Sequence, residues 1–410
     1  MSENHTGAAL LGVAIRQIFP HVQYLGSGVD SLGFYAEFSD SEPFQQAYLP
    51  MLENAMKKLQ NTSARLMEML PQNAAEFLSH HKEKELAKQL QHASGTVYIA
   101  QIEEFFDIVE KQPREVGRFS LLKFEQKGSK VRVQGSAFKT EKELKTFLKK
   151  YRQYPQKNHA YLAKELDLYE NANWHPRGMR LRQVLIEMWR KELAKAGFEQ
   201  VETADPFGYF QETKREQFCY FDGQEDHIYS FQKDGWNSCL QCIEKWVKIF
   251  GFECEKISVS SRRIELRIAD GIGRYWTGPY IEQEKGTIHF SLFGSLERFI
   301  ALLLEKHEGK LPFALAPEQV RLLPFEGVDC EPVIEIFNQL EIRSSVEERP
   351  GTLKEKMHRA LQAKVPYVMV FGKREEKTAQ MTIRAYGSSQ EMRMTLEEWK
   401  QLLAEQKIEI

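Results

Sequence analysis

Cys239 and Cys242, three residues apart, are the pair in this sequence that most directly suggests metal or redox chemistry. Their setting argues against it. The apolar spacing across residues 234–250 predicts an amphipathic helix, on which i and i+3 share a face, and no second cysteine pair accompanies them. Core packing is the plainer reading. His80 and His81 are adjacent in a charged helix, so they point to different faces and suit solvent better than a shared ion. The other concentration of chemistry is charge. Residues 139–164 hold eight Lys or Arg against two Glu, within a chain whose net charge is −2. Such a stretch, with Lys149, Lys150 and Arg152 at its centre, can draw phosphates by counterion release. A solvated helix face would look the same in sequence.

The elements that must carry these residues follow from periodicity. Leu10, Leu11, Ala14, Ile15 and Ile18 stripe a helix over 8–19, and a short strand follows at 34–38. A helix is expected over 43–59, and strands over 119–137 on either side of the turn Gln126-Lys127-Gly128-Ser129. Thr140 and Glu143 are spaced as a capping box opening a helix to 152. Pro155 and the polar run 156–159 mark a boundary. Next comes a long helix over 177–197, stopped by Gly197. Strand-rich stretches at 216–230 and 256–292 flank the 234–250 helix, and a further helix spans 295–307. Trp174, Trp189, Trp236 and Trp246 are read as core. Beyond a linker at 312–317, strands and helices alternate in βαβαββα order, which predicts a small α/β domain with a mixed sheet.

Length and composition bound the class. A chain of 410 residues with 42% hydrophobic and 28% charged residues suits two to four globular domains. No run approaches the roughly 18 apolar residues that span a bilayer, and residues 1–5 lack a basic, then apolar, secretory pattern. Five cysteines without framework spacing fit a reducing cytoplasm, so a cytosolic location is expected, with no membrane or DNA partner.

Three stretches resemble threonyl-tRNA synthetases. Gly294-Ser295-Leu296-Glu297-Arg298-Phe299-Ile300, then Leu315-Ala316-Pro317-Glu318-Gln319-Val320, is similar to motif 3 running into the anticodon-binding domain, which Val365-Pro366-Tyr367 and Gly372 continue. Lys164 to Tyr169, His175-Pro176-Arg177-Gly178 and Phe198-Glu199-Gln200-Val201 resemble the entry to the catalytic core and motif 1. His5-Thr6-Gly7-Ala8-Ala9-Leu10-Leu11-Gly12, Phe19-Pro20 and Gly33-Phe34-Tyr35 resemble the editing domain; the ubiquitin-like domain that precedes it in the family is not expected here. The resemblance implies an α/β and α+β multidomain chain. Residues 1–155 would form an editing-like α+β domain ending in the basic helix, 156–311 a truncated class II antiparallel-sheet core, and 312–410 an α/β anticodon-binding-like domain.

The departures from the family imply lost chemistry. Editing relies on paired His and Cys/His groups for ester hydrolysis. Here His5 is matched by Ala9, and Val109 and Pro113 stand where the later Cys and His belong. Between Pro206 and Asp226 about twenty residues replace well over a hundred, motif 2 and its arginine included, leaving Arg298 of motif 3 as the remaining ATP clamp. Of the zinc ligands, His227 and His289 fit, but the Cys falls in the missing stretch; Cys219 would substitute if its strand turned suitably. Thr277 and Tyr280 replace polar residues beside Gly278-Pro279. No catalytic residue, metal or cofactor is therefore assigned.

The anticodon-binding positions are kept. Glu375 and Arg384 match the base-reading Glu and Arg, Lys364 replaces an arginine with its charge retained, and Arg349 fits a basic loop position. Pro350 replaces an asparagine that contacts the anticodon. The expectation is an inactive synthetase-like protein that binds tRNA, threonine tRNA foremost, in a regulatory, sequestering or ribosome-linked role. It would carry a motif 1-type homodimer surface at 174–205. The alternatives are a subunit that pairs with and modulates a full-length synthetase, and a residual adenylating enzyme using His227, His289 and Arg298.

Overall fold

In a computed structural model, which describes residues 2–62, 64–109, 116–171, 173–232, 234–325, 327–373, 375, 380–388, 390–395 and 397–402, the chain divides into two units, Met1–Arg152 and Gln153–Ile410. Among the described residues no helix is long and apolar enough to cross a membrane.

The first unit contains α1 (Ser2–Ile18), β1 (Gln23–Val29), β2 (Phe34–Ser39), α2 (Tyr48–Leu59), β3 (Arg65–Met69), α3 (Pro71–His80), α4 (Lys84–Gln89), β4 (Val97–Ile102), β5 (Phe105–Val109), β6 (Arg118–Lys127), β7 (Lys130–Phe138) and α5 (Glu141–Gln153). Phe34, Ala36 and Phe38 alternate inward along β2 and share one core with Leu11, Ala14 and Ile15 of α1. Strands order β1-β2-β7-β6 in one antiparallel sheet and β3-β4-β5 in another. α1 starts earlier than its apolar stripe, because Asn4 accepts the Ala137 N–H (2.8 Å) and ties the first turn to β7. The reciprocal bonds of Thr140 and Glu143 (3.0 and 3.3 Å) open α5.

The second unit begins with α6 (His159–Glu165), β8 (Tyr169–Glu170), β9 (Asn173–Trp174), α7 (Pro176–Lys195), β10 (Glu199–Gln200), α8 (Pro206–Thr213), β11 (Gln217–Phe221), β12 (Asp226–Ser230), α9 (Trp236–Ile249), β13 (Cys254–Ser260), β14 (Arg263–Ala269), β15 (Tyr275–Glu284), β16 (Thr287–Ser291) and α10 (Leu296–Lys306). Gly197, at φ +86°, takes the left-handed position just past α7. Seven strands run β10-β11-β12-β16-β15-β14-β13, antiparallel except for β10–β11. The apolar face of this sheet, with Cys219, Ile228, Ile281 and Phe290, packs on Leu185 and Trp189 of α7, Ile243 and Trp246 of α9, and Phe299 of α10. Cys239 and half-buried Cys242 belong to this packing, and burial pushes both thiols up to about 11.

The unit ends in β17 (Val320–Pro324), α11 (Glu331–Gln339), β18 (Ser344–Val346), α12 (Leu353–Gln362), β19 (Tyr367–Phe371), β20 (Gln380–Ala385) and β21 (Met392–Thr395). The sheet order is β18-β17-β19-β20-β21, parallel across the first three and antiparallel beyond. It is a mixed sheet with one more strand, β21, than the periodicity indicates.

Candidate nucleic-acid interface

On the seven-stranded sheet, register decides which side chains meet. His227 on β12 and His289 on β16 lie 62 positions apart in sequence and project from the same polar face, beside Tyr220, Tyr229 and Glu282. His227 Nδ1 is 3.4 Å from His289 Nε2, His227 Nε2 is 3.2 Å from Asp222 Oδ2, and His289 Nδ1 is 3.2 Å from Glu282 Oε1. All four imidazole nitrogens are thus engaged, and a bonded His–His pair needs one donor and one acceptor. Burial holds the His289 pKa below its ordinary value, and the His227 charge adds to that, which favours the neutral ring. Tyr220 stacks on His227 (4.8 Å between centroids) and Tyr229 on His289 (4.6 Å). Cys219 pairs with Ile228, which places it on the opposite, core face, where burial pushes its thiol up to about 12. It therefore cannot join the histidines. Among the described residues no group of three His, Cys, Asp or Glu is arranged to hold a metal ion.

Arg298 lies elsewhere. Its Nη1 donates to the Thr277 carbonyl (3.1 Å), and it lines a cavity of about 390 Å³ with Tyr154, His159, Trp174, Trp276 and Glu305 that neither His227 nor His289 lines. Glu305 is buried there, and burial alone would raise its pKa. Bonds from His159, Tyr154 and the Gly271 N–H hold it below the usual carboxylate range instead. Gly294 sets the approach to α10: it adopts φ +71°, and a Cβ there would meet the Gly278 carbonyl oxygen at 2.3 Å.

The five-stranded sheet positions the anticodon-type residues. Glu375 accepts the Gly372 N–H (3.1 Å) and the Thr382 hydroxyl (3.2 Å). Thr382 and Arg384 are alternate residues of β20, so Glu375 and Arg384 serve one face of the sheet. Arg384 Nε donates to the Ser388 carbonyl (2.8 Å), and its two terminal nitrogens have no partner among the described residues. Arg349 is two-thirds exposed, but its Nε and Nη2 both donate to Glu347 (2.7 Å each). Glu347 also faces Arg321 (3.3 Å) and Arg359 (3.4 Å), and the Arg349 bonds hold its pKa down to about 2. Lys364 is turned inward, its ammonium donating to the Glu308 carbonyl, with burial lowering its pKa.

On α5, Leu144 and Phe147 are buried, while Lys142, Lys145, Lys149 and Arg152 share the solvent-facing stripe at i, i+3, i+7 and i+10. Lys149, Lys150 and Arg152 are exposed and have no ion-pair partner among the described residues.

A family model described as "Anticodon binding domain" matches residues 319–406. Threonine–tRNA ligase from Dehalococcoides mccartyi is 23% identical over 563 aligned residues, covering 97% of this chain and 95% of that protein. The ligase from Desulfovibrio desulfuricans is 24% identical over 541, covering 93% and 83%. The chain is related to threonyl-tRNA synthetases. Among solved structures, the RNA-binding domain of threonyl-tRNA synthetase from Cryptosporidium parvum shares the fold, with a TM-score of 0.51 and 17% identity over 61% of this chain and 98% of that one. An alignment of 563 positions also exceeds a 410-residue chain, so it carries long gaps on this chain's side.

In the synthetase-like sheet, sequence reasoning missed Asp226. This carboxylate is fully buried and accepts from Trp189 Nε1 (2.9 Å), the N–H groups of Leu292 (2.7 Å) and Phe293 (3.1 Å), and the Ser291 hydroxyl, tying α7 to the turn before α10. It missed a second cluster in the first unit, Met1–Arg152. Asp107, buried on β5, accepts from Tyr24 (2.7 Å) and Ser27 (2.6 Å), and Arg16 sits between the Tyr24 and Phe105 rings with Nη1 on Glu83 (2.8 Å). A lone Asp within an apolar strand was the available signal for Asp107. Nearby, Ala9 and Val109 are buried and carry no proton-transfer group, and Pro113 lies outside the described residues.

Proposed function

We propose that this chain is a catalytically inactive threonyl-tRNA synthetase-like protein that binds tRNA, with threonine tRNA the expected species. Its role is regulatory, sequestering or ribosome-linked. The observation that carries this reading is the placement of Glu375 and Arg384 on one face of the five-stranded sheet within the anticodon-binding domain, with the terminal nitrogens of Arg384 without a partner among the described residues. A carboxylate accepts a base amino group and a guanidinium grips a base edge in two places. The exposed cations of α5 supply the sequence-independent attraction that phosphates provide to any basic stripe.

Inactivity is supported from three sides. The zinc-type histidines bond each other and neighbouring carboxylates. Ala9 and Val109 replace editing groups. The alignment leaves long gaps, consistent with a missing motif 2. The test is to pass total tRNA over the purified full chain at physiological salt and sequence what is retained. Enrichment of threonine acceptors, together with no ATP–pyrophosphate exchange, is expected. Uniform, weak retention of all tRNAs would overturn anticodon reading, and exchange above background would overturn inactivity.

A further inference from the structure

Strand register places a second arginine beside the first. β21 runs antiparallel to β20 with Arg393 directly opposite Thr382. Paired residues project from the same face, as do alternate residues along a strand, so Arg393, Thr382 and Arg384 share a face with Glu375. The other face turns Met381, Ile383, Met392 and Met394 toward the core that holds Trp399. Over β17 and β19 the arginine face is covered by α12, whose Ala360 and Met357 pack on Leu323 and Val368. On β20 and β21 Thr382 and Arg384 are half-buried and Arg393 is exposed.

Arg393 and Arg384 are diagonal neighbours, about 7–8 Å apart at Cα. Neither has an ion-pair partner among the described residues, whereas Arg321, Arg349 and Arg359 of this domain do. Two unneutralised guanidinium groups at this spacing repel each other in the free protein, and an anion lying between them relieves that repulsion. Their tethering differs. Arg384 is held by its Nε bond to Ser388, which suits the fixed geometry of a base edge. Arg393, on the edge strand, has no orienting partner among the described residues, which suits a contact that needs charge and reach rather than angle.

We propose that Arg393 binds a backbone phosphate of the RNA whose base is read by Glu375 and Arg384. The proposal rests on the RNA-binding reading above. It divides the face into a reading pair and a phosphate anchor.

The experiment uses the full chain and threonine-tRNA transcripts carrying single-base anticodon changes, with affinity measured across a salt series. Arg393→Ala is expected to weaken every transcript alike, by about three- to tenfold, and to reduce the salt slope by about one. Arg393→Lys is expected to recover most of the affinity, because a phosphate contact needs the charge and not the fork. Arg384→Ala is expected instead to level the differences between anticodon variants. If Arg393→Ala binds with unchanged affinity and slope while Glu375→Ala with Arg384→Ala loses binding, the phosphate anchor is overturned and RNA reading stands. Wild-type protein that binds no transcript overturns both. Matching thermal melts of wild type and Arg393→Ala exclude a folding defect at this exposed position.

Discussion

The two sheets of the 153–410 unit present polar faces in opposite states of commitment. On the seven-stranded sheet, each nitrogen of His227 and His289 has a protein partner, and tyrosine rings lie against both imidazoles. On the five-stranded sheet, Arg384 uses one nitrogen and Arg393 none among the described residues. A ligand approaching the first face must displace bonds already made, whereas at the second it completes bonds left unmade. Residue types that look equally functional in sequence thus differ in what they can still do.

The largest effect should come from the buried face of the seven-stranded sheet, behind the histidines. Asp226→Ala leaves Trp189 Nε1 and the N–H groups of Leu292 and Phe293 without their acceptor, and urea unfolding should show a loss of at least about 3 kcal/mol. A loss well under 1 kcal/mol would mean that the turn before α10 does not depend on this carboxylate. On the open side, Glu375→Ala combined with Arg384→Ala should weaken threonine-tRNA binding thirtyfold or more, from roughly 1–3 kcal/mol per base contact. Unchanged affinity would sink the reading of that face.

A pH series sharpens the contrast through Glu347, a carboxylate committed to three arginines. Its folded pKa of about 2 lies below the ordinary 4.5, so its contribution is fully present above 4.5 and is lost as pH falls from there toward 2. Between pH 6 and pH 3 the wild type should lose roughly 2 kcal/mol more than Glu347→Gln. Parallel losses would assign acid sensitivity to other groups. The smallest effect is expected from zinc: a micromolar excess should move the melting temperature by less than about 1 °C. A rise of several degrees would show that the histidine pair opens for metal, and would revive the enzyme reading.

Legibility followed the range of the interactions. The helices around residues 177–197, 234–250 and 295–307 announced themselves through apolar stripes and, at Gly197, a stop signal, since those depend on neighbours a turn away. The βαβαββ order of the C-terminal domain was equally local. β21 escaped because four residues carry too little alternation, and β3 to β5 escaped because the half-buried β3 lacks a clean inward–outward pattern. At the sites, residue identity was legible and partnership was not. Nothing near Cys219 reveals that it faces away from His227, and nothing near Lys364 reveals that its ammonium meets the Glu308 carbonyl. Both facts come from strand pairing and packing between distant segments.

The hairpin joining β20 to β21 sets both the tether and the neighbour of Arg384. Ser388 in its turn accepts from Arg384, and its length fixes the register that brings Arg393 opposite Thr382. Because side chains alternate with period two, one residue added to this turn would send Arg393 to the methionine-lined side and bring Met392 or Met394 out in its place. Loop length here works as a ruler for the arginine face, so on the proposed reading a change at a position that touches no nucleotide would erase the phosphate contact as completely as deleting the arginine.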